Sequence, residues 1–306
     1  MMFLAQKTFS QDSLRFFSPS HEFNSKRYFS TVAFEGAAYT GTLVWLSGEW
    51  YAGYPHSSFH FFNDDNEWLQ MDKCGHMLTS YSLGKVGIDM MEWSGAKNNK
   101  NILLGGMMGF AFLTTVEVLD GFSQQWGFSW GDFSANTLGA GFIIGQKFLQ
   151  NQKNKTNFSR GIAAMSLKFS FHQTIYPPYR PNELGKNLSE EWLKDYNGQS
   201  YWLSCNISSF MREGIKFPKW LNVAFGYGAE GMTGGKSNPV YLDANGNQVV
   251  FDRYRQYYFS LDIDLTKIKT RSHFLKTIFE TVSFIKIPAP ALEFNKNGIK
   301  FHALYY

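Results

Sequence analysis

Asp72-Lys73-Cys74-Gly75-His76 places three ionisable side chains and a thiol in otherwise apolar sequence, and their spacing decides how the chain is read. Glu117 and Asp120 close a second apolar stretch. Asp132 and Asn136 open a third, within Gly127-Phe-Ser-Trp-Gly-Asp-Phe-Ser-Ala-Asn-Thr-Leu-Gly139. Asp72/His76 and Asp132/Asn136 are both i,i+4 pairs, so each pair shares one helix face. Charges on such segments are costly unless they meet one another or water. The residues therefore mark the inner seam of a helical bundle.

Working outward, apolar and small residues recur at helical spacing over 29–52, 67–93, 101–119 and 131–150. Ser20, Asn24 and Ser25 offer caps for the first helix, and Gly53-Tyr54-Pro55 offers its stop. The third carries Gly105-Gly106-x-x-Gly109, a small-residue surface for close helix contact. None of the four reaches the roughly 18–20 uninterrupted apolar residues of a membrane span, with the third and fourth closest.

After residue 165 the period changes from helix to strand. Leu167, Phe169 and Phe171 alternate with polar neighbours, as do Tyr257, Phe259, Leu261, Ile263 and Leu265. Tyr201–Phe210 and Trp220–Glu230 read as further strands. Asn245-Gly246 and Asn297-Gly298 read as hairpin turns. Short helices are expected at 188–196 and 271–281. Pro288 and Pro290 fit an edge or a bulge. The strands are too few to close a membrane barrel of at least eight; a sheet packed on the helices, or lying against a membrane, is expected. Gly226-x-Gly-x-x-Gly231 matches a dinucleotide loop in letters only, because strands rather than a helix follow it.

The fold class is thus α+β: an N-terminal bundle of about four helices packed with a C-terminal antiparallel sheet module. The expected domains are an N-terminal segment over 1–28, the bundle over 29–150 and the β-rich module over 151–306. Met1-Met2-Phe3-Leu4-Ala5-Gln6 reads as the tail of a signal peptide, with the mature chain beginning near Gln6–Asp12.

Of the 306 residues, 18% are aromatic and 18% charged, and the chain carries a net charge of +4. Residues 1–150 hold 13 acidic and 9 basic residues, residues 151–306 hold 12 and 20, so the two halves carry opposite charge. A basic half suits anionic lipid or lipopolysaccharide. Its lysines and arginines are dispersed and no binding motif appears, so nucleic acid is not an expected partner. Two cysteines, Cys74 and Cys205, make neither a disulfide framework nor a metal motif.

The seam admits three readings. Asp72, His76, Glu117 and Asp132 are candidate metal ligands or catalytic acid–base groups, with His76 as base. Alternatively Lys73 pairs with Glu117 or Asp120, Asp72 and Asp132 cap helix starts, and Asn136 bonds across the bundle. In a third reading Lys73, His76, Asp120 and Asn136 bind a ligand, with Lys73 and His76 facing a lipid phosphate. No cofactor is expected.

Trp68-Leu-Gln-Met-Asp72-Lys73 with Gly75-His76, then Glu117-Val-Leu-Asp120-Gly-Phe-Ser123, then Trp126-Gly-Phe-Ser-Trp-Gly-Asp132-Phe-Ser-Ala-Asn136, resemble the YfiM-like family of predicted periplasmic or envelope lipoproteins. Lys194–Ser204 and Phe217–Asn222 are similar to its larger Bacteroidetes type, so the resemblance covers roughly 17–235. Asp72-Lys73, His76, Glu117 and Asp132 to Gly139 more distantly resemble the VanZ-like four-helix membrane proteins. The resemblance implies the cell envelope, in periplasm or outer membrane, with membrane lipid or an envelope protein as partner. It implies no established activity. The expected function is an envelope-associated structural or lipid-binding protein; the alternative is a metal- or acid-base-assisted enzyme acting on an envelope lipid or glycan.

Overall fold

Helix α1, Ser25–Leu46, starts where Asn24 accepts a hydrogen bond from the Arg27 amide at 3.1 Å, the capping role its position suggested. The computed structural model describes residues 16–48, 55–212, 214–243 and 245–305. The leader reading of Met1–Gln6 and the expected helix stop at Gly53-Tyr54 lie outside them. Among the residues of α1 only Thr31 is buried, so this helix lies on the outside of the bundle.

The bundle is built on α2, Met71–Trp93. The helix expected over 101–119 is two helices, α3 (Asn99–Gly106) and α4 (Met108–Asp120), joined at Met107. Gly105-Gly106 has poor helix propensity, which makes this the place to break. The same glycine lets α3 touch α2, because a Cβ on Gly105 would stand 2.6 Å from the carbonyl carbon of Gly87. Together Asn99–Asp120 is the one described stretch long and apolar enough to cross a membrane by length and composition. Helix α5, Trp130–Asn151, packs along α2, and Tyr81, Ile88, Ile102, Ile143 and Ile144 form their shared core. A short α6, Asn157–Ala163, leads into the sheet.

Six strands form an antiparallel sheet in the order β1-β2-β3-β6-β7-β8. They are β1 (Ser166–Phe171), β2 (Gln199–Asn206), β3 (Leu221–Glu230), β6 (Tyr254–Ile263), β7 (Ala289–Asn295) and β8 (Gly298–Tyr305). The turn at Asn245-Gly246 closes a small separate ribbon, β4 (Tyr241–Leu242) with β5 (Gln248–Val249). Asn297-Gly298 joins β7 to β8. Pro290 sits at a bulge between Ala289 and Ala291 in an internal strand, where a missing N–H costs no regular ladder bond. The strand expected to run to Phe210 stops at Asn206, whose side chain caps the turn Ile207–Phe210. Helix α7 covers Leu188–Lys194 and α8 covers His273–Thr281.

The sheet curls, so that Tyr305 of β8 reaches Ser200 of β2, hydroxyl to hydroxyl at 3.1 Å. Its inner face holds Trp202, Ala224, Tyr258, Ala291 and Tyr305 together with the buried ion pair Lys168–Asp262 at 2.6 Å. The bundle packs on the opposite, outer face of β2 and β3, through Met71, Trp68, Tyr201, Tyr227 and Ala229. Gly75 permits the approach, since a Cβ there would lie 2.9 Å from the Tyr201 hydroxyl. The start of α2, and with it the polar seam, is thereby set where bundle meets sheet.

Candidate functional site

Three consecutive residues before α2, Trp68, Leu69 and Gln70, have left-handed backbone, with φ of 46°, 51° and 65°. Non-glycine residues avoid this region, so such a run persists only where the surroundings over-determine it. Here they do: the Trp68 amide donates to the Gly235 carbonyl, the Tyr227 hydroxyl donates to the Leu69 carbonyl, and Arg255 donates to Gln70 at 2.6 Å. Fully buried Met71 follows and anchors the helix. Asp72, Lys73 and, one turn on, His76 then project into the seam.

Lys73 is the hub. Its ammonium lies 2.6 Å from Asp64, 3.0 Å from Asp132 and 3.5 Å from Asp72. The pairing expected with Glu117 or Asp120 gives way to these three carboxylates. Burial alone would lower the Lys73 pKa, but Asp72, Asp132 and Asp64 outweigh it and hold the ammonium charged. Asp64 comes from the aromatic loop after α1. That loop is pinned by paired backbone bonds, Phe62 amide to Phe128 carbonyl and Phe128 amide to His60 carbonyl, and by ring contacts among Phe59, Phe61, Phe128 and Trp130.

Ser129 caps α5, in place of the capping role expected of Asp132. Its hydroxyl accepts from the Asp132 amide at 3.1 Å and donates to Asp64 at 2.6 Å, while its own amide donates to Glu117 at 3.1 Å. Asp72 lies in the first turn of α2 and does not cap it; it accepts from the Tyr196 hydroxyl at 2.6 Å. Asn136 bonds across the bundle as its position suggested, with Oδ1 3.1 Å from Nδ1 of His76. Ser80 holds the Asn136 carbonyl at 2.7 Å, and Nδ2 of Asn136 has no partner among the described residues. With Oδ1 as acceptor, Nδ1 of His76 carries the proton. Nε2 then lies on the side of Asp72, 3.9 Å away.

Glu117 is almost wholly buried, with an oxygen 3.7 Å from Nδ1 of His76. Burial pushes its carboxyl up to about 8, with His76 opposing and Asp132 and Asp120 adding. Asp132 is pushed up to about 9 by burial and by Asp72, against the pull of Lys73. Asp64 moves the other way: burial would raise it, but hydrogen bonds from Asp132, Lys73 and Ser129 outweigh that. Of this coupled pair Asp64 is thus the more readily ionised member and Asp132 the less.

Asp72, His76, Glu117, Asp120 and Asp132 line one open cleft of about 410 Å³, joined by Asp64, Glu67 and Glu183. Phe62, Trp68, Phe112, Leu113 and Trp126 add aromatic and aliphatic side chains to its lining. Asn182, Leu193, Lys194 and Tyr196, from the chain between β1 and β2, also line it. Asp72, His76 and Asp132 could offer one ligand atom each to a metal, all within 4.8 Å of one another. The Lys73 ammonium stands beside two of these three, and a dication there would meet its repulsion.

Asp64, Ser129 and Tyr196 were not among the residues singled out in the sequence. Only Asp64 left a signal, in the acidic pair Asp64-Asp65 within the aromatic loop. No curated protein and no solved structure matches the chain. One family model does match, over the segment that supplies every member of the cluster except Tyr196. Residues 60–146 match the family described as predicted periplasmic lipoprotein (DUF2279), which fits an envelope-associated protein.

Proposed function

We propose that this is an envelope-associated protein whose working part is the cleft, and that the cleft binds the head of an amphiphilic envelope molecule bearing an amine or several hydroxyls. The observation that carries this reading is the mixed lining of one cleft, carboxyl groups together with aromatic and aliphatic side chains. Such a cleft matches a molecule with a hydrogen-bond-donating or cationic head and a greasy body. Phosphate is a poorer fit. The lysine that would meet it, Lys73, is committed to three carboxylates. The likeness of Asp72-Lys73, His76, Glu117 and Asp132 to the YfiM-like and VanZ-like patterns supports the envelope setting.

A second reading is favoured by one contact, the bond from His76 Nδ1 to Asn136. It turns Nε2 toward Asp72 and sets the imidazole beside Glu117, whose carboxyl burial pushes up, the pairing of a base with an acid that catalysis uses. The test is lipid extraction from full-length protein purified out of envelope membranes, for wild type, Asp72→Asn and His76→Ala. A stoichiometric amine- or hydroxyl-bearing amphiphile in wild type, lost in folded Asp72→Asn, is expected. Wild type free of any amphiphile overturns the reading. An amphiphile retained intact by His76→Ala but recovered as a cleaved product from wild type selects the catalytic version.

A further inference from the structure

Alternation along β3, β6, β7 and β8 sorts their residues into two faces, an enclosed one that holds many polar side chains beside the apolar cluster and an exposed one that is almost wholly apolar. The inner face, turned toward the core, carries Asn222, Gln256, Ser260, Asp262, Glu293 and His302, all buried or nearly so. The outer face carries Phe225, Tyr257, Phe259, Leu261, Phe294 and Phe301, each at least 40% exposed. A sheet with one face to water puts its apolar residues inside. This one mixes polar side chains with the apolar cluster on its inner face and also leaves an apolar face outside, as sheets facing lipid do.

Register turns the exposed residues into rows. Leu203, Phe225, Phe259, Leu292 and Phe301 are successive cross-strand partners from β2 to β8. Tyr201, Tyr227, Tyr257, Phe294 and Ile299 form the next row. The bundle covers the β2 and β3 side of the second row, where Tyr201 and Tyr227 meet Met71 and Trp68. The uncovered part is therefore the continuation of a surface that is already an interface within the protein. Across β3, β6, β7 and β8 the one charged outer-face side chain is Arg255, held by Gln70 and Tyr227.

The chain entering β3 and the chain leaving β6 lie at the same end of the sheet, because Leu221 pairs with Ile263. Arg212, Lys216 and Lys219 precede β3; Lys267, Lys269 and Arg271 follow β6, and all six are exposed. Trp220 stands among them, 44% exposed. Helix α8 follows directly and shows Phe274, Leu275 and Ile278 to solvent beside Lys276. A basic collar with an exposed tryptophan at the margin of an apolar face matches the layered chemistry of a membrane surface, anionic headgroups over acyl chains.

We propose that the uncovered outer face of β3, β6, β7 and β8 docks on an anionic lipid surface, with the collar meeting headgroups and the aromatic rows meeting acyl chains. None of these side chains lines the cleft, so this contact stands apart from whatever the cleft binds. The test is flotation of the full-length protein with vesicles of phosphatidylethanolamine plus phosphatidylglycerol, and with vesicles of phosphatidylcholine alone. Wild type is expected to float with the anionic vesicles and to be released by salt. Phe259→Asp with Phe301→Asp, two exposed positions, is expected to weaken partitioning by about tenfold or more with an unchanged far-ultraviolet circular dichroism spectrum. If that variant misfolds, Lys216→Glu with Lys267→Glu and Lys269→Glu is expected to abolish the preference for anionic vesicles. Wild type that floats with neither vesicle overturns the proposal, as does partitioning that neither variant changes. A lipid-free dimer split by Phe259→Asp would overturn it too, by assigning the face to a second copy.

Discussion

Nδ1 of His76 lies 3.1 Å from Oδ1 of Asn136, so two side chains 60 residues apart lock α2 to α5 beside the cleft that His76 lines. Each residue belongs to an i,i+4 pair on its own helix, and this bond joins the two pairs. Asn136 is completely buried and its carbonyl is held by Ser80. Its position is thus fixed by the fold, and it fixes His76 in turn.

Replacing Asn136 by Ala removes the acceptor and leaves the His76 N–H short of a partner. The expected cost is about 1–3 kcal/mol of stability, the usual penalty for an orphaned buried polar group. Urea denaturation measures it. His76→Ala in the same protein should cost less, because Asn136 already leaves Nδ2 unpaired and tolerates an imperfect site. An equal or larger loss for His76→Ala would place the anchoring role on the histidine instead.

Lys73→Met tests the hub. The substitution keeps the stem and removes the one ammonium shared by Asp64, Asp72 and Asp132. Breaking a buried ion pair from one side costs about 3–5 kcal/mol, since the remaining charges lose their compensation. A drop of that order in the unfolding free energy is expected at neutral pH. Adding Asp64→Asn should return part of it, because Asp64 is the more readily ionised member of its pair. A double variant no better than Lys73→Met would show that the two groups are not coupled.

The parts of this arrangement legible in the sequence are those set by local periodicity. Asp72/His76 and Asp132/Asn136 follow from 3.6 residues per turn, and the strand rows follow from a period of two. Alternation states which residues share a face but not which face turns inward. That is why Asp262, in a polar row, proved buried while Phe259, in an apolar row, proved exposed. Asp64 and Tyr196 were not legible because their positions come from tertiary packing: ring contacts and two backbone bonds place one, and a contact spanning 124 residues places the other. The break at Met107 is hidden in the sequence because Gly105 and Gly106 serve equally as a close-contact surface within one continuous helix.

Glu117 sets a pH dependence with a definite sign. Its folded carboxyl titrates near 8 against an ordinary value of 4.5, through burial, with His76, Asp132 and Asp120 as the facing charges. Between these values the folded state holds a proton that the unfolded state has released, so stability falls as pH rises. The contribution is fully present below about 4.5 and is lost as pH passes 8. Asp132, with a folded value near 9, adds in the same direction. The urea midpoint is therefore expected to decline from pH 5 to pH 8. Glu117→Gln cannot ionise, and it should flatten that decline and raise stability at pH 8 by on the order of a few kcal/mol. An unchanged slope in Glu117→Gln would assign the dependence to other groups.

Lys168 and Asp262 pose the corresponding question inside the sheet. They meet at 2.6 Å with almost no exposure, and Lys168 also donates to the Ile263 carbonyl at 2.9 Å. Asp262 in turn accepts from Ser204 at 2.6 Å and from the Ile287 amide at 3.3 Å. Lys168→Met is expected to cost about 3–5 kcal/mol, since it leaves the buried Asp262 carboxylate with the neighbouring buried Lys286 as its remaining cation. Asp262→Asn on that background removes the carboxylate charge while keeping oxygen and nitrogen for the Ser204 and Ile287 contacts. The double variant should recover part of the loss, because replacing both charges spares the desolvation that each one imposes while Lys286 loses Asp262 as its counter-charge. Its unfolding midpoint, compared with both single variants, gives the coupling directly. Failure to recover would mean that the lysine supports the sheet mainly through its bond to Ile263, the strand end from which the basic collar departs.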